Sequence, residues 1–149
     1  MKSIVRILII STLHSSLLLA NNEGVNQLYQ NNFNQWIDSN IDSYAYTLKM
    51  QCFCPINYTR LIRVEILDNH VSAANFVNYD EPVSIEIIND LESIDGWFKL
   101  ISTAISRDAD HISVEYDASY GYPTMIDIDM RRMRSDDEQV ISISEFTLN

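Results

Sequence analysis

Residues 112–129 read ISVEYDASYGYPTMIDID, a tyrosine-rich turn between two runs in which apolar and polar residues alternate. This alternation is typical of strands that bury one face. Between the runs, Gly121 can adopt a positive φ without steric cost, while Pro123 fixes its own φ and favours an extended conformation for Tyr122. The stretch therefore predicts a β-hairpin whose turn carries several tyrosines.

The turn tyrosines have two interpretations. Tyrosine rings are large and apolar with one polar tip, so they suit both a protein core and a binding surface. Tyr116, Tyr120 and Tyr122 could pack against the core, or they could form a rim that contacts a partner. These three residues are therefore candidates for partner binding.

Further strands are predicted on both sides of the hairpin, because apolar and polar residues largely alternate there as well. After Pro82, which cannot donate to a strand ladder, only the short apolar run 83–87 remains before the next helical pattern. Arg131 to Glu138 form a charged connector that follows the hairpin. The additional strands are predicted at residues 44–52, 62–67, 71–77 and 140–148.

Two segments show helical spacing instead. In residues 28–41, aromatic and aliphatic side chains recur at intervals of three, four and seven, which predicts an amphipathic helix docked through Trp36. Residues 94–106 repeat this spacing, with Ser93 or Asp95 available as the N-cap. Hairpin connections without a βαβ rhythm then predict an α+β fold, with a single mostly antiparallel β-sheet and two amphipathic helices packed on one face.

The N-terminal residues resemble a secretory signal peptide. Lys2 and Arg6 precede apolar runs that end near Ala20, which is the typical order of charged and apolar regions. We therefore expect residues 1–20 to be removed on export to a periplasmic or extracellular location. The mature chain, residues 21–149, would form a single domain without a membrane span.

The mature chain would be strongly acidic. Without Lys2 and Arg6, it has 8 basic and 21 acidic residues, a formal net charge of −13. Such a surface repels nucleic acid and anionic lipid and favours a cationic partner or an unknown protein with a basic surface.

The two cysteines stand in the sequence Cys52-Phe53-Cys54-Pro55. In an exported protein the pair predicts a disulfide. In a straight strand their Cα atoms would be about 6.6 Å apart, close to the upper limit of about 6.8 Å for a disulfide, so the chain would have to bend. The bond could be structural or redox-active, and two thiolates could alternatively hold a soft metal such as Cu(I).

The sequence contains no motif for catalysis or cofactor binding that we recognise. A Gly-x-Ser-x-Gly turn, a His-Glu-x-x-His helix and a glycine-rich phosphate loop are all missing. Asp127 and Asp129 share one strand face, and we interpret them as solvated charges. We therefore expect no cofactor and no enzymatic activity.

Four features in combination resemble an uncharacterised family of exported bacterial domains: Trp36, the strand starting Tyr44-Ala45-Tyr46, the Cys-Phe-Cys-Pro turn and the hairpin containing Tyr-Gly-Tyr-Pro. The resemblance covers most of the mature chain and implies a bacterial envelope or secreted location. It implies no activity. Some members resemble lipoproteins, whereas this chain has no cysteine near residue 20.

The sequence thus predicts an exported, non-enzymatic binding or interaction module. Its contact surface would be a sheet end bearing Tyr120, Tyr122 and the turn around Cys52, including Phe53. The alternative function is thiol redox chemistry or soft-metal binding at Cys52 and Cys54.

Overall fold

The computed structural model describes residues 23–79, 81–131 and 138–149. The proposed signal peptide and residues 132–137 of the charged connector lie outside this description. A 3-10 turn, Ile56–Thr59, follows the first strand. The helices are α1 (residues 23–38), α2 (Ile85–Asp90) and α3 (Ile94–Ser106). The strands are β1 (Tyr44–Cys52), β2 (Ile62–Leu67), β3 (His70–Phe76), β4 (His111–Tyr116), β5 (Pro123–Asp129) and β6 (Glu138–Leu148).

The six described strands form one antiparallel sheet in the order β3-β2-β1-β6-β5-β4. The hairpin predicted from residues 112–129 is present, with Ile112 opposite Ile128 and Val114 opposite Ile126. β6 lies between β1 and β5, so it connects this hairpin to the first three strands. The predicted α+β fold with a single antiparallel sheet is confirmed.

One face of the sheet is buried beneath the helices. Alternate residues of β1, namely Tyr44, Tyr46 and Leu48, are fully enclosed and contribute to the core. The side chains of Ile126 and Ile141 extend the same apolar layer across β5 and β6. Helices cover this layer because each presents an apolar stripe, which for α3 is Ile94, Trp97, Phe98, Ile101 and Ala104.

The predicted α3 is confirmed at residues 94–106, with Ser93 as the N-cap whose hydroxyl accepts a hydrogen bond from the Gly96 amide. α1 contains the predicted amphipathic segment but already includes residues 23–27. The run 83–87 enters a helix that the sequence pattern did not predict. Ile87 is the buried residue of this helix, Ile85 is exposed, and Val83 and Leu91 are buried just beyond its two ends.

Two aromatic side chains, Tyr44 and Trp36, form hydrogen bonds with the first turn of α3. The Ile94 amide donates to the Tyr44 hydroxyl over 2.8 Å. The Trp36 indole donates to a carboxylate oxygen of Asp95 over 2.7 Å. These bonds fix α1, β1 and α3 relative to each other.

Within the described residues, no helix has the length and apolar character needed to cross a membrane.

Candidate functional site

The end of β1 carries an exposed apolar turn. Cys52 and Cys54 are joined by a disulfide, with their Cα atoms 5.3 Å apart, so the chain bends as the sequence argument required. Phe53 lies between the two cysteines and is 86% exposed, and Ile56, just after them, is 74% exposed. We call residues 52–56 the tip.

The backbone of the tip is held on both sides. Cys52 is the last residue of β1 and pairs with Gln139 of β6. Pro55 has no amide hydrogen to continue the ladder, and its carbonyl accepts from the Tyr58 amide over 2.9 Å to begin the 3-10 turn. Between these two anchors, the disulfide joins Cys52 to Cys54. The exposed side chains of the tip are therefore presented on a turn that is held at both ends.

The 3-10 turn is itself attached to α2. The Tyr58 hydroxyl donates to a carboxylate oxygen of Asp90 over 2.7 Å. Because this hydrogen bond favours the protonated phenol beside a negative charge, the pKa of Tyr58 is raised above its ordinary value. Asp90 thus links the base of the tip to the helical layer.

Beside the tip lies an acidic depression of about 570 Å³, at the same end of the sheet. The Nε2 atom of His111 lies 3.5 Å from a carboxylate oxygen of Asp127. Asp129 is buried, and one of its carboxylate oxygens accepts from the Arg131 amide over 2.9 Å. The residues that line the depression are Gln51, Cys52, Phe53, His111, Asp127, Asp129, Glu138, Gln139 and Val140.

The turn tyrosines face the core. Tyr122 is only 8% exposed, and its ring stacks on Phe146 with ring centres 4.5 Å apart. Tyr120 also contacts Phe146, and Tyr116 stacks on Phe98. The geometry matches the first interpretation of these residues, in which the rings pack against the core. Their partner binding stays a prediction, and contact through Tyr122 would require its ring to leave this packing.

The strand register separates the turn tyrosines from the tip. β5 begins at Pro123, directly after the turn, and ends at Asp129, which pairs with Glu138. The next residue of β6, Gln139, pairs with Cys52. The length of β5, roughly 20 Å at about 3.3 Å per residue, therefore lies between the two loops. The structure does not bring Tyr120 and Tyr122 together with Phe53 on one surface.

A second groove, of about 430 Å³, lies on the helical side of the sheet near the tip. Its walls include Trp97, Leu100 and Met50, together with the Tyr58 and Asp90 pair. Neither this groove nor the approach of His111 to Asp127 was predicted. Both depend on which strands are neighbours, and a single sequence carries no local signal for strand order.

The candidate thiol site is present as a bonded pair. Both sulfur atoms belong to the disulfide, and no cysteine in the chain is free. In the part of the chain that the structure describes, no group of three or more His, Cys, Asp or Glu side chains has an arrangement that could hold a metal ion. The chemistry that the described sulfurs offer is therefore that of a disulfide.

Comparison with known proteins identifies a family but no activity. A family model described as a family of unknown function, DUF6174, matches residues 28–148, which include all six strands. No curated protein and no solved structure matches the chain. Because the match covers most of the chain, the protein belongs to DUF6174, a family whose function is unknown.

Proposed function

We propose that this protein is an exported, non-enzymatic binding module that contacts a protein partner through the tip. One observation carries the proposal: Phe53 and Ile56 expose most of their apolar surface on a turn that is closed by a disulfide. Apolar side chains that are exposed together often mark an interaction site, and here two of the most exposed stand within one turn.

The rigidity of the tip favours binding. Association loses affinity when loops and side chains must be ordered at the interface. The disulfide, the Cys52 ladder pair and the Tyr58 hydrogen bond to Asp90 limit that loss. An aromatic ring presented in this way suits the central anchor of a small interface, because aromatic residues dominate binding energy at such sites.

The charge around the tip indicates the kind of partner. Asp127, Asp129 and Glu138 line the depression to which Phe53 also contributes, and the whole chain has a formal net charge of −11. Charge complementarity then favours a protein with an apolar pocket bordered by lysine or arginine. Export is proposed from the signal-like order of charged and apolar residues in positions 1–20.

Site-specific photo-crosslinking tests this function. The full chain is produced in its own cells with p-benzoylphenylalanine in place of Phe53, and a matched chain carries it in place of Leu67. Leu67 is also exposed, at 56%, but lies in the β2–β3 hairpin at the other end of the sheet. We expect irradiation to give a protein adduct from position 53 and none from position 67.

Binding by the purified adduct partner then provides the decisive measurement. Phe53→Ser should weaken its affinity by about 30-fold, and raised salt should weaken it further. Leu67→Ser should leave the affinity unchanged. Equal adducts from both positions, or equal affinities of the Phe53→Ser and unmodified chains, would contradict the proposal.

A further inference from the structure

We propose that the Cys52–Cys54 disulfide is a site of thiol–disulfide exchange, which a dithiol reduces while the rest of the domain stays folded. The bond lies in a surface turn, and each sulfur-bearing residue is half-buried rather than enclosed. Both residues line a shallow depression at the tip together with Phe53 and Pro55. A small reagent or an exposed thiol of another protein can therefore reach the bond without unfolding the sheet.

The core does not depend on this bond. The buried residues that form the core come from the helices, the strands and the loops between them, and none belongs to the tip. Cys52 keeps its backbone pairing with Gln139, whereas Cys54 lies outside the ladder. Opening the bond therefore releases only the segment between the end of β1 and the 3-10 turn.

The short loop also makes the bond unlike a typical structural staple. A disulfide stabilises a fold mainly by restricting the unfolded chain, and the effect grows with the length of the closed loop. Cys52 and Cys54 are only two residues apart, so little chain is restricted. Exposed disulfides of this kind belong to the labile class that exchanges with thiols.

The charges around the tip favour one sulfur as the target. The depression beside Cys52 is lined by Asp127, Asp129 and Glu138, which repel an approaching thiolate. Both cysteines line the smaller depression with the uncharged Phe53 and Pro55, but only Cys52 also lines the acidic one. We therefore expect attack at the Cys54 sulfur.

A dithiol reduces the bond in two exchange steps. One thiolate of a dithiol attacks the Cys54 sulfur, a new sulfur–sulfur bond forms, and the Cys52 sulfur leaves as a thiolate that takes up a proton. The second thiol of the reagent then loses its proton and attacks the reagent's first sulfur in the mixed disulfide. The Cys54 sulfur leaves as a thiolate and is protonated. Two electrons pass to the protein, and the dithiol becomes a disulfide.

The rate of reduction of the native protein tests the proposal. Dithiothreitol is added to the folded chain and to the chain unfolded in urea, and free thiols are alkylated and counted by mass at intervals. Far-UV circular dichroism and tryptophan emission monitor the fold. We expect the native rate to lie within about tenfold of the unfolded rate, with the fold retained and the bond restored by oxidised glutathione.

Gly121→Ala serves as the control, since it destabilises the fold far from the tip. Reduction of the native chain should be equally fast in this variant, because the exchange does not pass through unfolding. A native rate more than about tenfold below the unfolded rate, or a marked acceleration by Gly121→Ala, would overturn the proposal. The test uses no protein partner, so its failure would leave the proposed partner binding untouched.

Discussion

The indole N–H of Trp97 donates to the hydroxyl of Tyr46 over 3.1 Å, at a point where both side chains are enclosed. The same hydroxyl donates to the carbonyl of Glu92, just before α3. One phenol oxygen thus satisfies a donor from the helix and an acceptor from the loop that leads into it. Because the hydrogen bond from Trp97 is buried, loss of this oxygen should cost more stability than the size of the group suggests.

Tyr46→Phe removes that oxygen and leaves the Trp97 donor buried without a partner. We expect the free energy of unfolding to fall by about 1–3 kcal/mol, which is the typical penalty for an unsatisfied buried group. Urea unfolding followed by circular dichroism measures the loss. Tyr79→Phe is the matched control, because Tyr79 is exposed and should change stability by less than about 0.5 kcal/mol. Equal effects in the two variants would contradict the argument.

The folded protein should lose stability above about pH 10. Burial raises the pKa of Tyr44 and Tyr46 well above the ordinary value for tyrosine, since a phenolate would be desolvated in the core. Below the unfolded pKa both states are protonated, and the stability from these residues is fully present. As pH rises further, the unfolded state loses protons first, so the stability decreases by about 1.4 kcal/mol per pH unit for each protected tyrosine.

Urea unfolding at several pH values between about 9 and 11.5 checks this dependence. Tyr46→Phe should reduce the slope, because one protected group is removed. If stability depended on pH equally in the variant and the unmodified chain, Tyr46 would not contribute to that dependence.

Gly121→Ala should destabilise the fold by roughly 2 kcal/mol or more. Gly121 has a φ of 79°, and a Cβ atom there would lie 2.5 Å from the backbone carbonyl oxygen of Asn32 in α1. Both the backbone conformation and the approach of the turn to α1 therefore require glycine. Thermal and urea unfolding measure the effect.

Gly24→Ala is the corresponding control in α1. A Cβ atom at Gly24 would meet nothing within 4 Å, so the variant should gain up to about 1 kcal/mol from helix propensity alone. If Gly24→Ala lowered the free energy of unfolding as much as Gly121→Ala, close packing at Gly121 would not explain the effect of its replacement.

Replacing both cysteines by serine should lower the free energy of unfolding by only about 1.5 kcal/mol, the chain-entropy value for a loop of three residues. Most native disulfides of small secreted domains contribute about 2–5 kcal/mol. The double variant Cys52→Ser, Cys54→Ser is compared with Phe53→Ser, which keeps the bond and should be close to neutral because Phe53 is exposed. A failure of the double variant to fold would contradict the view that the bond is dispensable for the core.

Features that depend on local spacing were predicted well from the sequence. The limits of α3, the hairpin of residues 112–129 and the limits of β1 each follow from a period that a short window contains. α2 was missed because it has only six residues and buries only Ile87, so the short apolar run 83–87 shows no helical period.

The site was harder to predict because it depends on long-range pairing. The sequence identified Cys52, Phe53 and Cys54, but it also assigned the turn tyrosines to the same surface. Only the insertion of β6 between β1 and β5 places Asp127 and His111 beside the tip and the tyrosines at the far end. No periodicity within one segment encodes the choice of neighbour.

The central position of β6 also has a consequence for the order in which the chain can fold. Of the six strands in the described residues, β6 is the last to be synthesised, yet it alone among them pairs with both β1 and β5. Until it emerges, the β1–β2–β3 meander and the β4–β5 hairpin share no strand, and the apolar layer across them is incomplete. Assembly of the full sheet therefore depends on contacts that are distant in sequence and waits for the eleven residues of β6.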